Sequence, residues 1–183
     1  MMIETSRLIL RPPQIGDALP LNQAVNRSLE ALQRWMPWAT DPSLETTAIF
    51  VKDAVTQWQA PHPTQFPMVV VLRENNLIIG GSGYNEKSNF EVPMFEIGYW
   101  LDTTYVGLGL ATELVQALTR HAFEKLNAIR VQICMQKENT KSIRVAEKCG
   151  FILEATLHHF RLDCLTQKPV DELIYARFDT NRL

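Results

Sequence analysis

Cysteine, long apolar runs and surplus charge are what this 183-residue sequence has least of. Each shortage excludes something. The three cysteines, Cys134, Cys149 and Cys164, are odd in number and far apart, so no disulfide framework is expected and a reducing compartment fits better. None stands at metal-ligand spacing from a histidine, so no metal site is expected. The formal net charge is −2, which gives no broad basic field and disfavours nucleic acid as the main ligand. No stretch approaches the ~18 apolar residues of a membrane span. The first residues include Glu4 and Arg7 and no apolar core, so no signal peptide is expected, and the expected address is the cytoplasm. The remainder is ordinary for a globular chain: 46% hydrophobic, 21% charged, and a length that suits one domain over residues 1–183.

The stretch from Glu96 to Glu113 carries the most information. It reads as a strand, a glycine turn through Gly107-Leu-Gly109, and the start of a long amphipathic helix. Free N–H groups at a helix start point outward and the helix dipole is positive there, which suits an anion. The plain alternative is a strand-to-helix turn that merely needs flexible residues. No third glycine follows as in a dinucleotide-binding fingerprint, and no Gly-Lys-Ser/Thr follows as in a P-loop.

Around this stretch the pattern predicts strands at Leu8–Leu10, Met68–Leu72, Leu77–Gly83, Met94–Leu101, Arg130–Met135, Ile152–Leu157 and Leu173–Phe178. Asp17, Ser28 and Ser43 are candidate caps for three early helices. The third of these is expected to face the core with Ile49, Phe50, Ala54 and Trp58. A long helix is expected from about Gly109 to Leu126, with Ala111, Leu114, Val115, Leu118, Ala122 and Leu126 on one stripe. Another begins at Asn139 or Thr140 and ends at Gly150. Strand, long helix, strand implies a parallel crossover, whereas the short turns before it imply an antiparallel meander. Lys87 and Lys168 fall in loops and read as solvated charge.

Four segments occur in a telling order: Glu96-Ile-Gly-Tyr-Trp-Leu-Asp102, Gly107-Leu-Gly-Leu-Ala-Thr112, Glu138-Asn-Thr-Lys-Ser-Ile-Arg144 and Glu147-Lys-Cys-Gly-Phe151. With Glu4-Thr-Ser-Arg-Leu-Ile-Leu-Arg11 at the start, they resemble the Gcn5-related N-acetyltransferase (GNAT) superfamily, and within it the RimJ/RimL-type branch that acetylates N-termini of ribosomal proteins. The resemblance implies an α/β fold: a mixed, mostly antiparallel sheet with a central splayed parallel pair and helices on both faces. It implies acetyl-CoA as cosubstrate. The backbone of Gly107, Leu108, Gly109, Leu110, Ala111 and Thr112 would hold the diphosphate, backbone groups near Trp100 and Leu101 the pantetheine arm, and Asn139 and Ser142 its far end. Val106 stands where the family has Arg or Gln, Leu108 where Lys or Arg is common, and Ala146 where many members carry a tyrosine.

The implied reaction is attack of a neutral amine on a thioester, which needs a proton acceptor. Glu96 is the candidate base; the plain alternative is a strand carboxylate paired with an arginine. His158 and His159 titrate in a useful range but also read as edge-strand residues. Arg161 stands about where some relatives have a glutamate. Ser142 is the candidate donor to the leaving sulfur, or else a first-turn serine satisfying backbone, and Asn139 is either a cofactor contact or a plain cap. Cys134 reads as a small buried apolar residue. Trp35-Met-Pro-Trp38 reads as core or as the acceptor side. The expected acceptor is a protein N-terminal α-amine. A small amine (polyamine, amino acid or aminoglycoside) and a CoA-binding regulatory protein without turnover stay open, as does a homodimer.

Overall fold

The structure is a computed structural model that describes residues 1–181. Eight strands form one sheet: β1 (Ile3–Glu4), β2 (Leu8–Arg11), β3 (Phe66–Leu72), β4 (Leu77–Tyr84), β5 (Met94–Leu101), β6 (Arg130–Gln136), β7 (Ile152–Leu162) and β8 (Pro169–Arg177). Their order across the sheet is β1-β2-β3-β4-β5-β6-β8-β7. All neighbours are antiparallel except β5 and β6, which pair parallel, as strand-helix-strand requires. The helices are α1 (Ala18–Arg27), α2 (Leu29–Trp35), α3 (Leu44–Gln59), α4 (Leu110–Lys125) and α5 (Thr140–Lys148). No helix among the described residues is long and apolar enough to cross a membrane.

The main core lies between the sheet and α4, where Leu110, Leu114, Val115, Leu118 and Ala122 are all buried. Each fully buried leucine or valine there contributes about 1.5–3 kcal/mol. A second cluster on the other face joins Leu21 of α1 and Val51 of α3 to Val69, Val71 and Ile78. The expected helix and meander boundaries agree to within a few residues. Helix α5 starts where the asparagine predicts: the Asn139 carboxamide oxygen accepts from the Ser142 N–H at 3.2 Å.

Three local expectations need correction. Helix α3 turns inward through Thr47, Val51 and Ala54, while Ile49 and Phe50 are about half exposed. Asp17 does not cap α1; its carboxylate is taken by the Arg11 guanidinium at 2.6 Å. Ser28 does not cap α2, because its hydroxyl accepts from the Thr103 N–H at 2.9 Å. For Asp17 the competing partners are local, Arg11 and the Gln14 N–H; for Ser28 the partner, Thr103, is distant in sequence. Ser43 does cap α3, accepting from the Thr46 N–H.

Candidate active site

The turn between β5 and α4 is shaped by its two glycines. Gly107 has φ +86° and Gly109 φ +79°, a left-handed region where a side chain is strained. Neither glycine is there to make room for packing. A Cβ on Gly107 would meet nothing within 4 Å, and one on Gly109 only the Arg7 Nη2 at 3.6 Å. The N–H groups of Gly107 through Thr112 make no backbone hydrogen bond among the described residues. The result is an open nest of donors at the positive end of a 16-residue helix. Leu110 is buried as the anchor of α4, while Leu108 is exposed.

Val106 and Leu108 are exposed and uncharged, but a cation reaches the loop from elsewhere. The Arg7 guanidinium donates to the Leu108 carbonyl at 2.9 Å and, through Nε, to Glu113 Oε2 at 2.6 Å. Glu113 Oε1 also accepts from the Thr5 and Ser6 hydroxyls and the Arg7 N–H. Burial alone would raise this carboxyl, but these bonds outweigh it and hold it at about 2. The segment Thr5–Arg7 thereby clamps the first turn of α4.

Beside this loop the sheet opens. β5 and β6 pair only at Met94↔Arg130, Phe95↔Val131 and Glu96↔Gln132. Beyond those rungs β5 pairs with β4, and β6 with β8. The Glu96 carbonyl accepts from the Asn85 N–H on the β4 side. Peptide directions alternate along a strand, so Tyr99 and Leu101 turn their N–H and C=O groups into the wedge while those of Trp100 face β4. By the same alternation Cys134 and Gln136 line the opposite wall, since Lys137 donates to Asp171 of β8. The wedge opens toward the C-terminal end of β5, the end that leads into the glycine loop.

The two sides of the wedge differ in chemistry. On the α5 side the Tyr99 and Ser142 hydroxyls are hydrogen-bonded at 2.8 Å. Burial pushes the Tyr99 phenol up to about 12, against a smaller lowering by Ser142, so it is a neutral donor at physiological pH. This tyrosine escaped the sequence reading. Its signal was the strand alternation that put Tyr99 on the face opposite Glu96. Ala146, where a tyrosine was absent, is fully buried in the core.

On the other side Glu96 is buried and accepts from Asn85 Nδ2 at 2.8 Å, Gln132 Nε2 at 2.6 Å and the Cys134 thiol at 3.2 Å. Burial first, then the Glu96 charge, drive the Cys134 thiol far upward, so it is a hydrogen-bond donor rather than a nucleophile. Glu172 of β8 is equally buried, with Arg161 Nη1 at 3.7 Å. Lys87 is no merely solvated charge, for its ammonium is 3.9 Å from both Glu96 and Glu172. Gln136, beside Glu172 across the strands, is buried with neither side-chain polar atom partnered among the described residues. The Trp100 ring shares this face and lies 5.9 Å from Trp38, so the Trp35–Trp38 stretch does border it. His158 and His159 lie elsewhere, exposed on β7 and bonded to Asp171. No group of three or more metal-ligating side chains occurs among the described residues.

A wedge between parallel strands, free N–H groups at its mouth, a carboxylate on one side and a hydroxyl pair on the other make an arrangement chemically suited to transfer from a phosphorylated carrier. Comparison with known proteins shows the family. The model of the acetyltransferase (GNAT) domain matches residues 7–152. The chain is 30% identical to the ribosomal-protein-serine acetyltransferase of Escherichia coli K12, over 86% of this chain and 85% of that protein. It is 36% identical to the spermidine N(1)-acetyltransferase of the same organism, but over only 30% of each chain. Its fold matches that of RimL, a ribosomal L7/L12 α-N-protein acetyltransferase solved with coenzyme A, with a TM-score of 0.88 at 24% identity, over 98% of this chain and 99% of that one. The chain belongs to the GNAT family of acetyltransferases.

Proposed function

We propose that the protein transfers acetyl from acetyl-CoA to the N-terminal α-amine of a protein, a ribosomal protein being the first candidate. The observation that carries the acceptor class is the charge balance on the Glu96 side of the wedge. Two buried carboxylates, Glu96 and Glu172, stand against two cations, Lys87 and Arg161. Such a surface suits one ammonium on an otherwise uncharged chain end. A polyamine would need a surplus of acid there. The similarity to ribosomal-protein-serine acetyltransferase over most of both chains supports the same reading.

The open glycine nest and the splayed strands fit a CoA-type ligand. Its diphosphate would be held by the N–H groups of Gly107–Thr112 with Arg7 nearby, and its arm by the wedge backbone at Tyr99 and Leu101. When bound it supplies an acetyl thioester. The Tyr99 and Leu101 N–H groups are preset to stabilise negative charge developing on an acyl oxygen. Glu96 orients the incoming ammonium and takes up its proton, directly or through water. The Ser142–Tyr99 pair hands a proton to the departing sulfur from the opposite side. Asn139 holds the first turn of α5, and with it Ser142, in place. Proton acceptor and donor on opposite sides of one strand keep the two transfers from short-circuiting.

A thiol-release assay tests the reading. Peptides with N-terminal serine or alanine should be turned over with higher kcat/KM than spermidine, free amino acids or an aminoglycoside. A small amine outperforming every peptide would overturn the acceptor class. Acetyl-CoA binding without release on any acceptor would favour a regulatory CoA-binding protein.

A further inference from the structure

Lys87 places one ammonium between two buried carboxylates, 3.9 Å from each. These are loose contacts; Arg11 and Asp17, by comparison, meet at 2.6 Å. Glu96 already has Asn85, Gln132 and Cys134 as donors, and Glu172 has Arg161. Lys87 is therefore not needed to satisfy Glu96, and for Glu172 it is the looser of two cation contacts, 3.9 Å against 3.7 Å for Arg161. Its side chain is half exposed, on the loop between β4 and β5, and its four-carbon stem is flexible. It is a primary amine, the class of group the site acts on, tethered beside the carboxylate assigned to the acceptor.

We propose that Lys87 is a modification site, acetylated at Nζ within its own molecule. This rests on the acetyl-transfer reading above. The ammonium gives one proton to the carboxylate pair and on to water. The Nζ–acetyl bond forms, the thioester C–S bond breaks, a second nitrogen proton is lost, and the sulfur leaves as the thiol. One acetyl group moves, one proton is released in total, and nothing is oxidised or reduced. The amide product is neutral, so Glu96 and Glu172 keep Arg161 as their one nearby cation among the described residues and gain room for the single ammonium of an acceptor.

The test is incubation with isotopically labelled acetyl-CoA, digestion, and mapping of lysines by mass spectrometry. Lys87 should take label about tenfold or more faster than Lys137 and Lys141, because a tethered amine has a high effective concentration. The rate should not depend on protein concentration. Lys87→Arg should carry no label at that peptide. Gly109→Val should slow labelling of Lys87 and not of Lys137 or Lys141. If that variant fails to fold, an unreactive CoA analogue should do the same to the wild type. In the cofactor-free protein an N-terminal-serine peptide should protect Lys87 from trace acetic anhydride. Labelling of Lys87 no faster than of the other lysines, or proportional to protein concentration, or an unprotected Lys87, would overturn the inference. Peptide turnover with unlabelled Lys87 removes the inference alone. Absence of acetyl-CoA binding removes the functional reading with it.

Discussion

Replacing Gly109 by valine should separate the loop's role in folding from its role in binding. The cost to the fold is conformational, because the position has φ +79° and its added Cβ would meet only the Arg7 Nη2, at 3.6 Å. A left-handed L-residue costs about 1–2 kcal/mol, and a β-branched one lies at the upper end. For a domain of this size that lowers Tm by roughly 2–8 °C. The cost to binding is larger. If the diphosphate lies on the free N–H groups between Gly107 and Thr112, the two methyl groups would compete with it for the open space at Gly109. Charge-assisted hydrogen bonds are worth about 1.5–3 kcal/mol each, so losing two weakens acetyl-CoA about 10²- to 10⁴-fold. Gly109→Ala carries most of the backbone cost and little of the bulk, and should lose about tenfold or less. Calorimetric titration reads affinity and circular dichroism the melt. A folded Gly109→Val protein that binds within about threefold of wild type would refute the placement of the diphosphate.

Tyr99→Phe and Ser142→Ala should each lower kcat about 10²-fold in the thiol-release assay, with little change in acetyl-CoA affinity. Since the two hydroxyls share one hydrogen bond, the double variant should be scarcely worse than either single one; a multiplicative loss would show that they act separately. Glu96→Gln places an amide donor among the donors Asn85, Gln132 and Cys134, and should cost about 1–3 kcal/mol of stability as well as rate. An unchanged rate across pH would remove Glu96 as proton acceptor. Glu113 has its carboxyl lowered from 4.5 to about 2, so its contribution is present above about pH 4.5 and is lost as pH falls toward 2. The shift corresponds to about 3 kcal/mol at most, and to about 1–2 after solvent screening. Glu113→Gln should flatten that part of the stability-pH curve; an unchanged acid slope would refute the clamp.

What could be read from sequence was whatever is encoded locally. Glycine spacing placed the turn before α4, the asparagine placed the start of α5, and apolar alternation placed the strands. What escaped depends on partners far apart in the chain. Arg7 reaches Leu108 and Glu113 only because β2 and α4 lie side by side, so Val106 looked like an uncompensated loss of charge. Lys87 looked like a solvated loop residue because Glu172, one of its two partners, lies at the other end of the sequence. The stripe of α3 was misplaced because two exposed side chains, Ile49 and Phe50, are as apolar as buried ones. Glu96, Ser142 and Asn139 were named from sequence, but that Ser142 meets Tyr99, on the face of β5 opposite Glu96, needed the packing of α5.

The three-rung junction of β5 with β6 makes the sheet two half-sheets stitched by a short seam, with five strands on one side and three on the other. Hydrogen bonding across the middle of the molecule is therefore incomplete until something is laid into the gap. A ligand running along Tyr99 and Leu101 would complete the ladder and act as a strut between the halves. Substrate capture and stiffening of the protein are then one event, and slow-exchanging amide protons along the gap would report it.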